Sequence, residues 1–201
     1  MNTIFAKYIF RLMTFSHGHY LNFMSTVSRT EAKRKLKSCG DGFRLFYPST
    51  IYSMECMDVG DNVHINRGAF IAAKGGLRIG DNVHIARNLT IYTINHNYKG
   101  TCLPYDHTLI EKPVLIEKNV WIGINVTIIP GVTIHEGAII GAGTVVAKDI
   151  PPLAIVGSGP QHIYKYRDEV HYKNLDSHQM YGGPSGYLYQ SNNNVQPHDI
   201  K

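Results

Sequence analysis

Aliphatic residues recur every sixth position through the second half of the chain. Starting from Ile116 the beat continues through Ile122, Ile128, Ile134, Ile140 and Val146. Neither the 3.6-residue period of an α-helix nor the two-residue period of a strand produces that spacing. A period of six predicts a β-solenoid in which each hexad is one short strand and one corner. Four residues after these positions stand Val120, Val126, Val132, Ala138 and Thr144, with Gly123, Gly131, Gly137, Gly141 and Gly143 between, where tight corners need unusual dihedrals. The beat starts earlier, at Val59, Ile65 and Ile71, slips by two residues at Gly75 and Gly76, and resumes at Ile79, Ile85 and Ile91.

The phrase VGDNVHI at 59–65 returns as IGDNVHI at 79–85 and, degenerately, as IEKNVWI at 116–122. A separation of 20 equals three hexads plus the inserted pair, so three hexads make one coil of a three-sided prism. Ahead of it, Ile4, Tyr8, Leu12 and Phe15 predict a helix with one apolar face. Ser28 or Thr30 caps a second, basic helix through EAKRKLKSC, closed by Gly40. The residues around Phe43 to Cys56 read as an irregular entry strand. The division is therefore 1–50 helical and basic, 51–152 solenoid, and 153–201 extension and polar tail, with GSGPQHIYKYR as a short helix or strand.

The beat breaks once, over TINHNYKGTCLPYDHTLIEKPVL, between Ile91 and Ile116. A detour from a rigid array is where binding and catalysis concentrate. His96 sits in it between Asn95 and Asn97. An imidazole, with an ordinary pKa near 6.5, is largely neutral at pH 7 yet basic enough to take a proton from an attacking alcohol.

Charge and cysteine content narrow the partners. The net charge of +5 is modest and the basic residues form no long runs, which argues against nucleic acid and suits an anionic small ligand or anionic lipid headgroups. Three cysteines without paired spacing (Cys39, Cys56, Cys102) argue for a reducing, cytoplasmic setting. No apolar run reaches the roughly 18 residues of a membrane span, and the first residues lack a signal-peptide cleavage site. Residues 1–40 read first as a cap over the first coil. The second reading is peripheral membrane contact, with Lys33, Arg34, Lys35 and Lys37 facing lipid phosphates.

With YTINH at 92–96, NVWIGINVTIIPGV at 119–132, IIGAGTVVAKDIPP at 139–152 and GSGP at 157–160, the chain resembles the hexapeptide-repeat acyltransferases over roughly residues 57–167. The nearest branch is the sugar O-acetyltransferases: the galactoside, maltose and nodulation-factor enzymes and those of polysaccharide biosynthesis. The resemblance implies an all-β solenoid, specifically a left-handed parallel β-helix with an N-terminal helical segment and a short C-terminal extension. It also implies a homotrimer with sites between subunits, acetyl-CoA as donor and a sugar or glycan acceptor, with no metal required. Carried over by position, His96 is the base, and the backbone at Ile124 and Ala142 meets the thioester and pantetheine arm. Trp121 lines the acceptor or thioester region, with Asn95 beside the base. Lys148, Lys165 and Arg167 lie near the nucleotide phosphates. The residues that position the sugar in the galactoside and maltose enzymes fall near Gly68 and Ala72, so the acceptor's identity stays open.

Four alternatives stand beside this reading. Transfer to the amine of an amino-sugar nucleotide uses the same base. Cys102 with His96 or His107 would allow an acyl-enzyme, but no nucleophile signature surrounds it, and direct transfer is the expected route. His64 and His84, equivalent one coil apart, resemble part of the three-histidine zinc site of γ-type carbonic anhydrases. A silent trimeric scaffold is the remaining class.

Overall fold

The computed structural model describes residues 3–97, 105, 107–157 and 163–181. Three parallel sheets form the sides of a prism. The first side stacks Ser38–Cys39, Met57–Val59, Leu77–Ile79, Val114–Ile116 and Thr133–Ile134. The second runs from Arg44–Leu45 through His64–Ile65, His84–Ile85, Trp121–Ile122 and Ile139–Ile140 to Ala154–Val156, where Ile163–Tyr166 adds antiparallel. The third stacks Thr50–Tyr52, Phe70–Ala72, Thr90–Tyr92, Thr127–Ile128 and Val145–Val146.

The six-residue beat is the core. Ile65, Ile85, Ile122 and Ile140 lie in register on successive coils of the second side, as do Ile71, Ile91 and Ile128 on the third. All are at most 1% exposed. Each coil therefore buries its aliphatic residues on those of its neighbours, which gives the array its continuous apolar column.

Corners are turned by asparagine as well as glycine. Asn62, Asn82 and Asn119, the same letter in each copy of the repeated phrase, all adopt left-handed φ between 51° and 61°. Their amides form a ladder, Asn62 Nδ2 donating to Asn82 Oδ1 at 3.0 Å and Asn82 Nδ2 to Asn119 Oδ1 at 3.1 Å. Asparagine tolerates that dihedral and links one coil to the next, a role that glycine lacks.

Three sequence expectations change. The region around 43–56 is a regular first coil, its strands paired in register with those of the second coil. A single helix, α1 (Thr3–Lys35), runs straight through Ser28 and Thr30. The Thr30 hydroxyl does not cap, because it donates back to the Thr26 carbonyl at 3.0 Å. Residues after 167 are not all tail: α2 (Glu169–Ser177) is capped by Asp168, whose carboxylate accepts from the His171 N–H at 2.8 Å. The remainder of that tail, from 182 on, lies outside the described residues. Among the described residues no helix is long and apolar enough to cross a membrane.

Candidate active site

The detour is a two-stranded antiparallel hairpin, Ile94–His96 against Leu109–Glu111, with His96 opposite Leu109. It leaves the prism at the edge of the third side. Its neck is tied down by Thr93, which is fully buried. The Thr93 hydroxyl donates to the Ala72 carbonyl at 2.9 Å and accepts from the Gly75 N–H at 2.8 Å, while the Lys112 N–H closes onto the Thr93 carbonyl at 2.8 Å. A Cβ at Gly75 would overlap the Thr93 carbonyl. The slip at Gly75 and Gly76 is thus the seat on which the hairpin rests.

Along that hairpin His96 is exposed and its ring lies on Tyr105 with centroids 3.9 Å apart and planes 15° from parallel. The Asn95 side-chain oxygen accepts from the His96 N–H at 2.9 Å. The imidazole is therefore held from its face and its backbone while its edge is open. Tyr105 was not singled out in the sequence, because nothing in local spacing shows that a residue nine positions later folds back onto the histidine. Cys102 lies outside the described residues, as do the last three residues of GSGP.

At the corner between the second and third sides, Ile124 and Ala142 come together one coil apart. The Gly143 N–H donates to the Ile124 carbonyl at 2.8 Å, and a Cβ at Gly123 would stand 2.8 Å from the Ala142 nitrogen. Among the described residues neither the Ile124 nor the Ala142 N–H has a hydrogen-bond partner, although every second amide along this corner is paired. Free backbone donors of this kind are suited to a carbonyl or oxyanion.

Trp121 stands in register with His84 and is 57% exposed. It lines a cavity of about 570 Å³ between the second side and α2, together with Asn82, His84, Ile139, Arg167 and Tyr172. The Arg167 guanidinium sits over the Tyr172 ring at 5.1 Å. Lys165 is exposed on the last strand, opposite Ile155, and Lys148 is exposed after the final strand of the third side. The sequence-derived residues thus fall into separate places within one chain. Ile124 and Ala142 share a corner, Trp121 and Arg167 share a cavity, and His96 departs from the opposite edge of the third side.

His64 and His84 do stack, at 4.2 Å and 16°. Burial pushes the His64 imidazole down to about 4, with the His84 and Arg44 charges adding to it, and burial also lowers His84. Their Nε2 atoms are buried without a hydrogen-bond partner. The rings meet face to face, and among the described residues no group of three metal-binding side chains forms around them.

The family model for the bacterial transferase hexapeptide (six repeats) matches residues 113–148. No curated protein sequence matches the chain. Among solved structures, a maltose O-acetyltransferase from Clostridium difficile 630 is 32% identical, covering 69% of this chain and 73% of its own, with a TM-score of 0.62. A hexapeptide-repeat containing acetyltransferase from Vibrio cholerae O1 biovar eltor, complexed with acetyl coenzyme A, is 29% identical over 68% of this chain and 75% of its own, TM-score 0.63. A galactoside acetyltransferase in complex with coenzyme A is 28% identical over 81% and 77%, TM-score 0.63. The fold is the left-handed parallel β-helix. The chain belongs to the hexapeptide-repeat acyltransferases.

Proposed function

We propose that this chain is an acetyl-CoA-dependent O-acetyltransferase whose acceptor is a hydroxyl of a sugar or glycan intermediate, as in polysaccharide biosynthesis. The observation that carries the reading is the pair of unpaired amides at Ile124 and Ala142, set at a corner between two sides, with a stacked, open-edged imidazole on the far edge of the third side. His96 takes the acceptor proton as the oxygen attacks the thioester carbon, and the Ile124 N–H holds the resulting oxyanion. The C–S bond then breaks, and the imidazolium returns the proton to the CoA thiolate. Ala142 meets the pantetheine arm, and Lys148, Lys165 and Arg167 offer charge to the nucleotide phosphates. The reaction needs no metal. The described cysteines, Cys39 and Cys56, are free thiols, in keeping with a cytoplasmic setting where acetyl-CoA is supplied.

One chain alone does not bring these parts together. A hexad spans a side of on the order of 15 Å, too far for one imidazole to serve an amide across it. A closed ring of three parallel prisms would put the His96 of one copy beside the Ile124 of the next, so the proposed enzyme is a homotrimer with three shared sites.

The test is CoA release from acetyl-CoA with a panel of sugar acceptors. His96→Ala is expected to lose about 100-fold or more in rate. A variant keeping most of its rate would remove His96 from the role. An alkali-labile product identifies an ester, whereas a stable one identifies amide formation on an amino sugar.

A further inference from the structure

We infer that α1 is a membrane-surface helix, and that it seats the enzyme on an anionic lipid bilayer with the prism on the water side. The inference stands independently of the acetyl-transfer reading. With 33 residues, α1 is about 50 Å long, and among the described residues its contacts with the prism come from its C-terminal half. There Ala32 is 1% exposed, Leu21 and Ser25 are half-buried, and the Ser25 hydroxyl accepts from the Tyr47 N–H at 3.0 Å.

A second stripe runs along another side of the helix. Met13, Tyr20 and Val27 are spaced at sevens, Phe23 falls three after Tyr20, and Phe10 three before Met13. All five are exposed, Phe10, Met13 and Phe23 by 64–68%. Val27 is two residues from Ser25, more than half a turn around the helix, so that side of the stripe turns from the prism that the Ser25 side grips, while the half-exposed Tyr20 ring at its margin leans edge-on against Tyr47 with centroids 6.4 Å apart. An apolar stripe of this length turned from its own domain requires a partner.

Charge decides which partner. The first carboxylate in the chain is Glu31, whereas Lys7, Arg11 and Arg29 precede it and Lys33, Arg34 and Lys35 close the helix. A second copy laid along the same seam would set these cations against one another with only Glu31, already paired with Arg34 and Lys35, to answer them. Two of its inward positions would be Ser16 and Thr30. A bilayer rich in anionic lipid supplies both an apolar layer and the opposite charge. The helix is not apolar enough to span, so it lies in the plane of the interface.

The experiment is co-sedimentation of the full chain with vesicles of phosphatidylcholine alone or mixed with phosphatidylglycerol. Sedimentation with the mixed vesicles is expected, weakening as salt rises from about 0.05 to 0.5 M. The double variant Met13→Asp/Phe23→Asp is expected to bind at least about tenfold more weakly while melting like the parent. Phe23→Trp provides a second readout. Its added fluorescence is expected to shift to the blue with mixed vesicles, and the parent, whose single tryptophan is Trp121, is expected not to shift. Failure of the parent to sediment overturns the inference, as does an unshifted Phe23→Trp signal. A double variant that retains vesicle binding, or that instead lowers the number of associated copies in vesicle-free buffer, overturns it as well.

Discussion

The stacked His64 and His84 show what a buried neutral pair costs in acid. Their place one coil apart was legible from the repeated VGDNVHI phrase, since residues at the same letter of successive copies lie in register. That their Nε2 atoms are sealed from any partner was not legible, because sealing depends on how outward-facing side chains crowd against one another. The His64 imidazole titrates at about 4 in the folded chain, below the ordinary value of 6.5. Between those values the unfolded chain binds more protons than the folded one, so stability rises with pH across the window and is lost as pH falls through it. The melting temperature is therefore expected to drop by several degrees from pH 7 to pH 5. His64→Phe, which keeps a flat ring on His84 but carries no titrating group, is expected to flatten that slope. An unchanged slope in the variant would place the acid sensitivity elsewhere. Tyr105 marks the limit of sequence reading at this scale. The imidazole it supports was found from its neighbours in the chain, but the support is a contact made across the hairpin.

Helices were the elements least legible from the chain. The hexad beat announces each strand because every coil repeats the same demand for a buried aliphatic residue, whereas α2 has a short nine-residue run with one buried side chain, Tyr172. What holds α2 is polar and comes from afar. The Tyr172 hydroxyl donates to Glu136 Oε1 at 2.6 Å and accepts from Asn119 Nδ2 at 2.8 Å. Lys118 Nζ and Asn119 Nδ2 both donate to the Asp176 carboxylate at 3.1 Å. The asparagine ladder that links the coils thus ends on this helix. Gly137 leaves room for it, since a Cβ there would stand 2.9 Å from the Tyr172 ring. Tyr172→Phe keeps the ring packing but strips both hydroxyl bonds, leaving Glu136 and Asn119 short of a partner. A melting temperature lower by about 5 °C is expected, from a loss of about 1–2 kcal/mol. A variant that melts with the parent would show that α2 is held by packing alone. Because α2 forms one wall of the cavity beside Trp121 and Arg167, the same variant reports on whether that cavity needs its lid to be fixed.

For the molecule as a whole, a six-residue beat in the sequence was enough to specify the prism, because a coil that cannot bury its face alone must stack on another. Where the proposed catalytic parts stand was only half legible. The break in the beat pointed to His96 and the family resemblance to Ile124 as candidates, but the sequence says nothing about the width of the side that separates them. That separation makes a sharp prediction about assembly. Ile124→Pro removes the amide proton proposed to hold the oxyanion, whereas Ile124→Ala keeps it, so the first is expected to be inactive and the second to retain most of the rate. If each site joins the imidazole of one copy to the amide of the next, two inactive chains can rescue each other. Co-assembly of equal amounts of His96→Ala and Ile124→Pro chains would leave an intact imidazole facing an intact amide in about one quarter of the sites. Activity of about a quarter of the parent, appearing only after the chains are mixed during folding, is the expected result. A mixture as inactive as its components would mean that both groups must come from one chain, and would dismiss the shared site.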